Sequence, residues 1–390
     1  MNGPVEKPLI AIACGGTGGH LFPGMTVGRE LVRRGCDVIL LVSEKEVDQL
    51  AVRCLTEMDV ARLSAVGLQG RNYLSFLRAM RRSVREARRL FRQRRPVAVL
   101  AMGGFTAVAP MMAGRMVRAK LFLHESNAVP GRANRLLAPW VKRAFVGFRE
   151  AADRLSAREI TLSGTPVREC FQSVVPETCR RVLELDPCRP TLLVTGGSQG
   201  ARGLNRLVMD AMPALRRQYE DLQFLWLAGG NDVDEVRTFC REHRVPAKVR
   251  RFLPEMELAY GAATVSLSRS GAASLAETAA MRVPVILVPL PGSADDHQRH
   301  NAMNFERTGA ARLLEQETAA VADLVKAVGT LLTDTNAREA MREAQSRWHR
   351  PDAACLMADR MLAAIGPARK VDAAGATGAT LEVLAAPLPT

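Results

Sequence analysis

The sequence predicts an α/β protein built from two doubly wound parallel sheets. Short apolar runs of strand length alternate with helix-length amphipathic segments along most of the chain, a pattern typical of parallel sheets with crossover helices. A chain of 390 residues is too long for one ordinary core, which favours two domains. Glycine-rich loops follow apolar runs at Gly15 and again at Gly196, so each half is expected to carry its own ligand loop.

The strands are expected at similar spacing in the two halves. In the first half they are predicted at residues 8–14, 37–43, 97–102, 120–124, 143–147 and 159–162. In the second half they are predicted at residues 190–195, 222–228, 248–252, 264–267 and 284–289. Turn residues at 163–166 favour a domain boundary there. The segment 338–365 predicts one or two terminal helices, and the Ala-, Gly-, Thr- and Pro-rich tail, 366–390, is expected to be disordered.

Composition limits the class of protein and of partner. The net charge of +14 favours an acidic partner such as a nucleic acid, an anionic membrane or a phosphate-bearing substrate. The eight cysteines form no Cys-x-x-Cys pair, so neither a zinc site nor a disulfide framework is indicated. The N-terminus does not resemble a signal peptide. The uncharged stretch 96–114 contains Gly103, Gly104 and Pro110, which favours a buried strand and a turn over a membrane span.

The segment 71–95 is strongly basic and amphipathic, with ten arginines and a single acid, Glu86. A basic helix with apolar residues in its first turns is expected to lie on an anionic bilayer. The residues expected to contact the membrane are Leu74, Phe76, Leu77, Met80, Arg81, Arg82 and Arg85. A solvated helix face remains an alternative. Nucleic acid is disfavoured because no nucleic-acid-binding motif accompanies the arginines.

The loop Gly15–His20 is the strongest chemical signal. Glycines allow backbone N–H groups to approach a ligand closely, and a helix that begins there favours phosphate at its N-terminus. His20 is the side chain in this segment that can move a proton near neutral pH. The spacing matches neither the dinucleotide fingerprint, which requires a glycine where Leu21 stands, nor a P-loop.

Further polar motifs follow predicted strands, at 124–127, 164–168, 268–277 and 295–302. The carboxyl ends of parallel strands meet at one edge of a sheet, so these motifs are expected to line a cleft between the halves. A helix is expected to begin at Ser270–Gly271 and to cradle a diphosphate, with Glu277 placed to accept hydrogen bonds from a ribose diol. Asp232-Val-Asp234 resembles a metal-binding Asp-x-Asp, but capping of a helix N-terminus is the favoured interpretation.

Taken together and in this order, the motifs resemble the MurG family of bacterial glycosyltransferases, glycosyltransferase family 28, over residues 8–365. They are the His-terminated glycine loop, HESNAVPG at 124–131, GTPVR at 164–168, GGSQGAR at 196–202, SRSGAASLAE at 268–277 and DHQ at 296–298. The resemblance implies a GT-B fold, with two Rossmann-like domains and an interdomain cleft. It implies an acceptor and membrane domain, 1–165, a UDP-GlcNAc domain, 166–340, and a terminal helix, 341–365, that packs back on the first domain.

The resemblance also implies an activity: inverting transfer of GlcNAc from UDP-GlcNAc to the C4 hydroxyl of the MurNAc of undecaprenyl-pyrophosphoryl-MurNAc-pentapeptide (lipid I). Such a hexosyltransferase makes lipid II for peptidoglycan. It works without a metal or cofactor, at the cytoplasmic face of the bacterial plasma membrane as a peripheral protein. Its implied partners are UDP-GlcNAc, lipid I and the anionic membrane surface, with no nucleic acid.

Site roles follow from the resemblance residue by residue. The loop residues Thr17, Gly18 and Gly19 are expected near the sugar and the acceptor diphosphate, with His20 as general base. The remaining residues are expected to bind UDP-GlcNAc. They are Asn127 and Gln298 on the sugar, Arg168 and Ser198 on the phosphates, Leu253 on uracil through its backbone, Ala272, Ala273, Ser274, Leu275 and Ala276 on phosphates and ribose, and Glu277 on the ribose hydroxyls.

Two alternatives stay open at this point. One is another GT-B enzyme with a different lipid acceptor, such as diacylglycerol. The other is a non-catalytic protein that binds a sugar nucleotide. The order of the motifs favours the lipid I transferase, and intact His20, Asn127, Glu277 and Gln298 disfavour a protein that has lost its activity.

Overall fold

The computed structural model describes residues 7–43, 55–64, 73–197 and 200–366. For residues 73–75 it describes the backbone and not the side chains. Its first half is a parallel sheet with helices on its faces. The strands are β1 (Leu9–Ala13), β2 (Asp37–Val42), β3 (Asp59–Arg62), β4 (Ala98–Ala101), β5 (Lys120–Glu125), β6 (Arg143–Val146) and β7 (Ile160–Leu162). The helices are α1 (Gly18–Arg33), α2 (Tyr73–Arg94), α3 (Val108–Met116) and α4 (Arg132–Leu137).

The second half repeats this plan and ends in helices. Its strands are β8 (Thr191–Thr195), β9 (Gln223–Leu227), β10 (Ala247–Arg250), β11 (Val265–Ser268), β12 (Val285–Leu287) and β13 (Arg312–Leu313). Its helices are α5 (Pro176–Val182), α6 (Arg202–Gln218), α7 (Val233–Glu242), α8 (Met256–Ala262), α9 (Ala272–Met281), α10 (His297–Arg307), α11 (Val321–Thr333), α12 (Thr335–Ser346) and α13 (Ala353–Ile365). The predicted terminal helices are therefore α12 and α13.

Both sheets are parallel and doubly wound, which confirms the predicted fold class. The first has the order β3-β2-β1-β4-β5-β6-β7, and the second has the order β10-β9-β8-β11-β12-β13. In each sheet the order reverses at the first strand, between β1 and β4 and between β8 and β11. Ligands bind beyond the carboxyl ends of strands at such reversal points. The glycine loop at 15–20 follows β1 directly, and Gly196 and Gly197 follow β8 directly, so both lie at reversal points.

All of the predicted strands are present, and the described residues contain two further strands that the sequence did not predict. Strand β3 has the sequence Asp-Val-Ala-Arg and is largely exposed at the sheet edge, so it lacks the apolar run that marks a buried parallel strand. Strand β13 spans only two residues. The uncharged stretch 96–114 forms β4, a turn of 3-10 helix and most of α3. Within the described ranges, no helix is long and apolar enough to cross a membrane.

The C-terminal helix α13 returns to the first half of the chain and packs against α1. Met357 and Met361 are fully buried there, in the same cluster as Ile10 and Phe122 of the first sheet. Burying such a side chain contributes about 1.5–3 kcal/mol. An ion pair between Arg34 and Asp359 adds a polar contact at the rim of this interface. The chain therefore crosses between the two sheets twice.

Asp232 stands at the N-cap position of α7, as predicted, but the expected capping bond is absent there. Its Oδ2 instead accepts a hydrogen bond of 2.9 Å from Asn205 Nδ2, whose Oδ1 accepts from the indole of Trp226 at 2.9 Å. A buried network thus takes the carboxylate away from the helix end. The side chain of Asp234 is 92% exposed. In the described part of the chain, no cluster of His, Cys, Asp and Glu side chains is arranged to hold a metal ion.

Candidate active site between the two domains

The first glycine loop is fixed by a hydrogen bond from Thr106 and leads into the N-terminus of α1. Gly16 has φ +115°, a conformation that favours glycine, and Thr106 Oγ1 donates a 2.6 Å hydrogen bond to the carbonyl of Gly15. Helix α1 begins at Gly18, and Thr17 at its N-cap makes no side-chain capping bond. The N–H groups of Gly18 and Gly19 lie at the positive end of the helix dipole, where a ligand anion is favoured, whereas the N–H of His20 donates to the carbonyl of Thr17 at 3.1 Å.

His20 lies in the first turn of α1, against a second glycine turn. Gly103 and Gly104 have φ values of +116° and +74°. A Cβ added at Gly103 would lie 2.7 Å from Cε1 of His20, closer than van der Waals contact permits. The imidazole therefore sits directly on the backbone after β4, and that backbone conformation requires glycine. This contact fixes where the ring of His20 lies in the site.

The carboxylate of Glu125 organises the loop after β5. Its Oε1 accepts from the backbone N–H of Asn127 at 2.9 Å and from Asn127 Nδ2 at 3.0 Å. Its Oε2 accepts from the N–H of Gly131 at 2.9 Å and from Asn134 Nδ2 at 2.8 Å. A buried carboxylate with four donors is fully satisfied. The role of Glu125 is thus to hold the turn and to orient the amide of Asn127.

His124 has a structural place rather than a catalytic one. Burial lowers its pKa to about 4, so the ring is neutral at physiological pH. The carbonyl oxygen of Gly164 lies 3.0 Å from Nε2, and because a carbonyl only accepts, Nε2 carries the proton. Nδ1 then accepts from Ser126 Oγ at 3.3 Å. The ring therefore ties the end of β5 to the segment that leads into the second half.

The second half contributes the N-terminus of α9. Gly271 is its N-cap and carries no side chain to satisfy the first N–H groups, which favours an anion at this point. Ser270 Oγ donates to the backbone carbonyl of Gln298 at 2.7 Å, and Gln298 Oε1 accepts from the N–H of Leu290 at 3.0 Å. The side chain of Gln298 is thereby held with its Nε2 donor directed away from Leu290.

These elements meet around one cavity of about 540 Å³. Residues from both domains line it. They include Thr17, Gly19, His20, Gly103, Gly104, Phe105, Asn127 and Arg132 from the first domain and Gly271, Ala272, Ala273, Asp295 and His297 from the second. A Cβ added at Gly19 would lie 4.0 Å from Cβ of Ala273, so the N-termini of α1 and α9 face each other. Two helix dipoles therefore direct positive potential at the same space.

Arg168 and Glu277 form a second group of predicted residues. The guanidinium of Arg168 lies 4.6 Å from the ring centre of Phe22 and 3.8 Å from Glu257 Oε2, and its buried Nε has no partner among the described residues. Burial raises the pKa of Glu277 to about 7; the charge of Glu257 adds to this, and that of Arg168 opposes it. An unpaired donor next to a carboxyl of raised pKa is typical of a ligand site.

The other predicted residues have varied surroundings. Leu253 is 3% exposed, and neither its N–H nor its carbonyl is bonded to another described residue. Within α9, Leu275 is buried in the core and the carbonyl of Ser274 accepts a hydrogen bond from Thr278 Oγ1. The residues of this helix that line the cavity are Ala272 and Ala273 at its start. Ala276 lies on the same helix. Gly18 is the first residue of α1. Ser198 lies outside the described residues.

Sequence reasoning missed Asn301, which joins the two halves at the site. This residue of α10 is fully buried. Its Oδ1 accepts from the N–H of Ala128 at 2.8 Å, and its Nδ2 donates to Asn127 Oδ1 and to the carbonyl of Ser270, each at 3.1 Å. Asn301 therefore fixes the amide of Asn127 from the opposite side to Glu125. The one feature of the sequence that could have indicated this role is that Asn301 lies in the last polar motif, 295–302.

Models of two protein domains match this chain. The glycosyltransferase family 28 N-terminal domain matches residues 10–146, and the glycosyltransferase family 28 C-terminal domain matches residues 191–357. The first match covers β1 to β6 and the second covers β8 to β13, and the cavity is lined by residues of both domains. The fold and the site thus define a glycosyltransferase with two Rossmann-like domains, and the chain belongs to glycosyltransferase family 28.

Several curated relatives carry the name UDP-N-acetylglucosamine--N-acetylmuramyl-(pentapeptide) pyrophosphoryl-undecaprenol N-acetylglucosamine transferase. The protein of Anaeromyxobacter sp. (strain Fw109-5) is 34% identical over 90% of this chain and 92% of its own length. That of Acidithiobacillus ferrooxidans (strain ATCC 53993 / BNL-5-31) is 36% identical over 90% of this chain and 96% of its own length.

Solved structures agree in fold. The crystal structure of Acinetobacter baumannii MurG superimposes with a TM-score of 0.69 at 24% identity, covering 91% of this chain and 99% of that one. A putative UDP-N-acetylglucosamine 2-epimerase from Listeria monocytogenes gives a TM-score of 0.67 at 15% identity, covering 91% of this chain and 96% of that one. The GT-B fold that the motifs implied is thereby confirmed.

Proposed function

We propose that this protein transfers GlcNAc from UDP-GlcNAc to the C4 hydroxyl of the MurNAc of lipid I, with inversion, to give lipid II for peptidoglycan. The observation that supports this most is the cavity in which His20 and the N-termini of α1 and α9 meet. The names of the curated relatives give N-acetylglucosamine transfer between UDP-N-acetylglucosamine and N-acetylmuramyl-(pentapeptide) pyrophosphoryl-undecaprenol. The alignments cover 90% of this chain and 92% and 96% of these two relatives, which supports the same reaction here.

The reaction needs a proton acceptor on one side of the sugar and a place for negative charge on the other. In our proposal His20 removes the proton from the acceptor hydroxyl as its oxygen attacks C1 of GlcNAc. The bond from C1 to the β-phosphate oxygen breaks, and UDP leaves. The dipole of α9 and the N–H groups of Ala272 and Ala273 stabilise the departing diphosphate. Attack from the face opposite the leaving group inverts the configuration at C1.

The donor is proposed to bind mainly to the second domain. Arg168, with its unpaired Nε, would bind a phosphate, and Glu277 would accept hydrogen bonds from the ribose hydroxyls. Asn127, which lines the cavity, and the Nε2 of Gln298 would bind the hydroxyls of GlcNAc. Leu253 would pair with uracil through its unbonded backbone groups. Ser198 is proposed to meet the phosphates from the second glycine loop.

The acceptor is proposed to arrive from an anionic membrane surface against which α2 lies. Leu77 is 50% exposed, and the arginines at 81, 82 and 85 are also exposed. Met80 packs partly against the core of the first domain. Phe76 makes an edge-to-face contact with Phe105 of the cavity wall, with ring centres 6.3 Å apart. The membrane surface of α2 thus adjoins the active site, which suits a lipid-linked acceptor.

We propose that the protein acts as a peripheral enzyme at the cytoplasmic face of the bacterial plasma membrane. We propose residues 1–165 as the acceptor and membrane domain and residues 166–340 as the donor domain. Of residues 341–365, expected to pack on the first domain, α13 does so, whereas Met341 and Gln345 of α12 pack in the second domain. The tail, 366–390, lies outside the described residues from 367 onward. Binding to vesicles tests the membrane role: Leu77→Asp is expected to weaken binding to anionic vesicles, whereas Met116→Asp, also at an exposed apolar residue but outside α2, is not.

The activity is tested by transfer of labelled GlcNAc to a short-chain lipid I analogue. We expect transfer from UDP-GlcNAc, and UDP-glucose, which carries a hydroxyl in place of the 2-acetamido group, is the control donor. Diacylglycerol as acceptor is the control for another lipid glycosyltransferase. Transfer to diacylglycerol alone would refute the proposed acceptor. Saturable UDP-GlcNAc binding without transfer to either acceptor would refute the proposed catalysis.

A further inference from the structure

We propose that Arg132 and Arg135 form a second anion site at the edge of the cavity, for the phosphate or carboxylate groups of the acceptor, and that Asp295 occupies it until the acceptor binds. This inference rests on the proposed function, because it concerns the acceptor of the same reaction. It adds a binding site in the first domain that is separate from the phosphate cradle of α9.

The two arginines hold one carboxylate between them. Asp295 Oδ1 lies 3.3 Å from Arg132 Nη2, and Asp295 Oδ2 lies 2.6 Å from Arg135 Nη2. Each oxygen thus meets its own guanidinium, across the space between the two domains. Planar guanidinium groups arranged in this way suit a phosphate or a carboxylate equally well. The side chain of Asp295 therefore stands where an oxyanion of a ligand would fit.

The site is positioned at the cavity rather than elsewhere on the surface. Arg132 and Asp295 both line the cavity that holds His20. Arg132 follows Gly131 directly, and the N–H of Gly131 is bonded to Glu125, so the arginines are anchored to the turn that orients Asn127. An anion bound here would lie on the acceptor side, because both arginines belong to the domain that carries His20.

The contact with Asp295 is of a kind that a ligand can displace. The side chains of Arg132, Arg135 and Asp295 are 73%, 44% and 28% exposed, and ion pairs that solvent reaches contribute little to stability. Asp295 and Asp296 have φ values of +51° and +49°, a left-handed conformation that is unfavourable for residues with a Cβ. The loop that delivers the carboxylate is thus held under strain by a weak contact.

A diphosphate competes well against this carboxylate. It brings two negative charges and more acceptor oxygens than Asp295, and charge-assisted hydrogen bonds to arginine are about twice as strong as neutral ones. Release of Asp295 would also relieve the strained backbone and free the loop that lies between the two domains. Binding of the acceptor and movement of this loop are therefore expected to be coupled.

The test measures binding of a short-chain lipid I analogue by calorimetry, with UDP present, in three variants. Asp295→Asn removes the competing charge and is expected to tighten binding about two- to five-fold, the value of an exposed ion pair. The double variant Arg132→Gln, Arg135→Gln is expected to weaken binding about ten-fold or more, as two charge-assisted bonds are lost. Glu150→Gln is the matched control, because it breaks another exposed ion pair between the domains, Arg307 to Glu150 at 2.6 Å, away from the cavity lining.

Unchanged affinity in Asp295→Asn, or the same gain in Glu150→Gln, would overturn the proposal, since the effect would then be absent or due to loosened domains alone. An analogue without the peptide identifies the ligand group: a retained effect assigns the site to the diphosphate, and a lost effect assigns it to a peptide carboxylate. Binding does not require turnover. A wild-type protein that binds the analogue but transfers no sugar would refute the proposed function and leave the anion site standing.

Discussion

Glu277→Gln is expected to make the protein more stable at alkaline pH while it weakens donor binding. Burial raises the pKa of the Glu277 carboxyl from an ordinary value of 4.5 to about 7. Below pH 4.5 the carboxyl is protonated in both the folded and the unfolded chain, and it costs nothing. Between pH 4.5 and 7 the unfolded chain loses the proton and the folded chain keeps it, so stability falls as the pH rises. Above pH 7 the full cost is present.

The size of this effect follows from the two pKa values. Each pKa unit corresponds to about 1.4 kcal/mol, which gives an upper value of about 3 kcal/mol. Because Glu277 is only half-buried, solvent reduces the cost, and we expect a gain of about 1–3 kcal/mol for the glutamine variant at pH 8. Most of the gain should vanish at pH 4.5.

Urea unfolding of the wild type and of Glu277→Gln at pH 4.5 and pH 8 measures the stability difference. Calorimetric titration with UDP-GlcNAc across the same range measures donor binding. The wild type should bind more tightly as the pH rises through about 7, because the carboxylate then accepts from the ribose hydroxyls; the variant should bind weakly and without this dependence. A stability difference that does not change with pH would refute the buried-carboxyl argument. Equal donor affinities would refute the ribose contact.

Two further predictions concern the contacts that shape the cavity. Asn301→Ala leaves the buried N–H of Ala128 unpaired, so it should lower stability in urea unfolding by about 2–4 kcal/mol and raise the KM for UDP-GlcNAc. The control is Asn304→Ala, which should change neither value because the amide of Asn304 bonds within its own helix. Gly103→Ala should lower kcat at least ten-fold, because the added Cβ would displace the ring of His20; wild-type kcat in this variant would contradict the proposed role of that contact.

The parts of this molecule that could be predicted are those in which local chemistry dictates the residue type. Buried parallel strands require continuous apolar runs, and their positions were found within a few residues. Turns with positive φ that approach a ligand require glycine, so the loop from Gly15 was visible as a site. The exposed edge strand β3 carries neither signal, which is why it was missed.

The contacts between distant segments could not be predicted, because no local pattern encodes them. Asn301 lies 174 positions from Asn127, which its amide orients, and Asp295 lies 160 positions from Arg135. An asparagine on a helix looks the same in sequence whether it is solvated or buried across a domain interface. Asp232 is a further example: its N-cap position was predicted from the local sequence, but its hydrogen bond to the distant Asn205 was not.

The measurement that tests the account most directly compares His20→Ala with the wild type in two assays: turnover with the lipid I analogue and calorimetric binding of UDP-GlcNAc. If His20 is the general base in the wall of the cavity, kcat should fall by about 10²–10⁴-fold, and the Kd for UDP-GlcNAc should stay within about two-fold, because the donor is held mainly by the second domain. Turnover close to that of the wild type would contradict the account, since the cavity would then lack the proton acceptor that its geometry assigns.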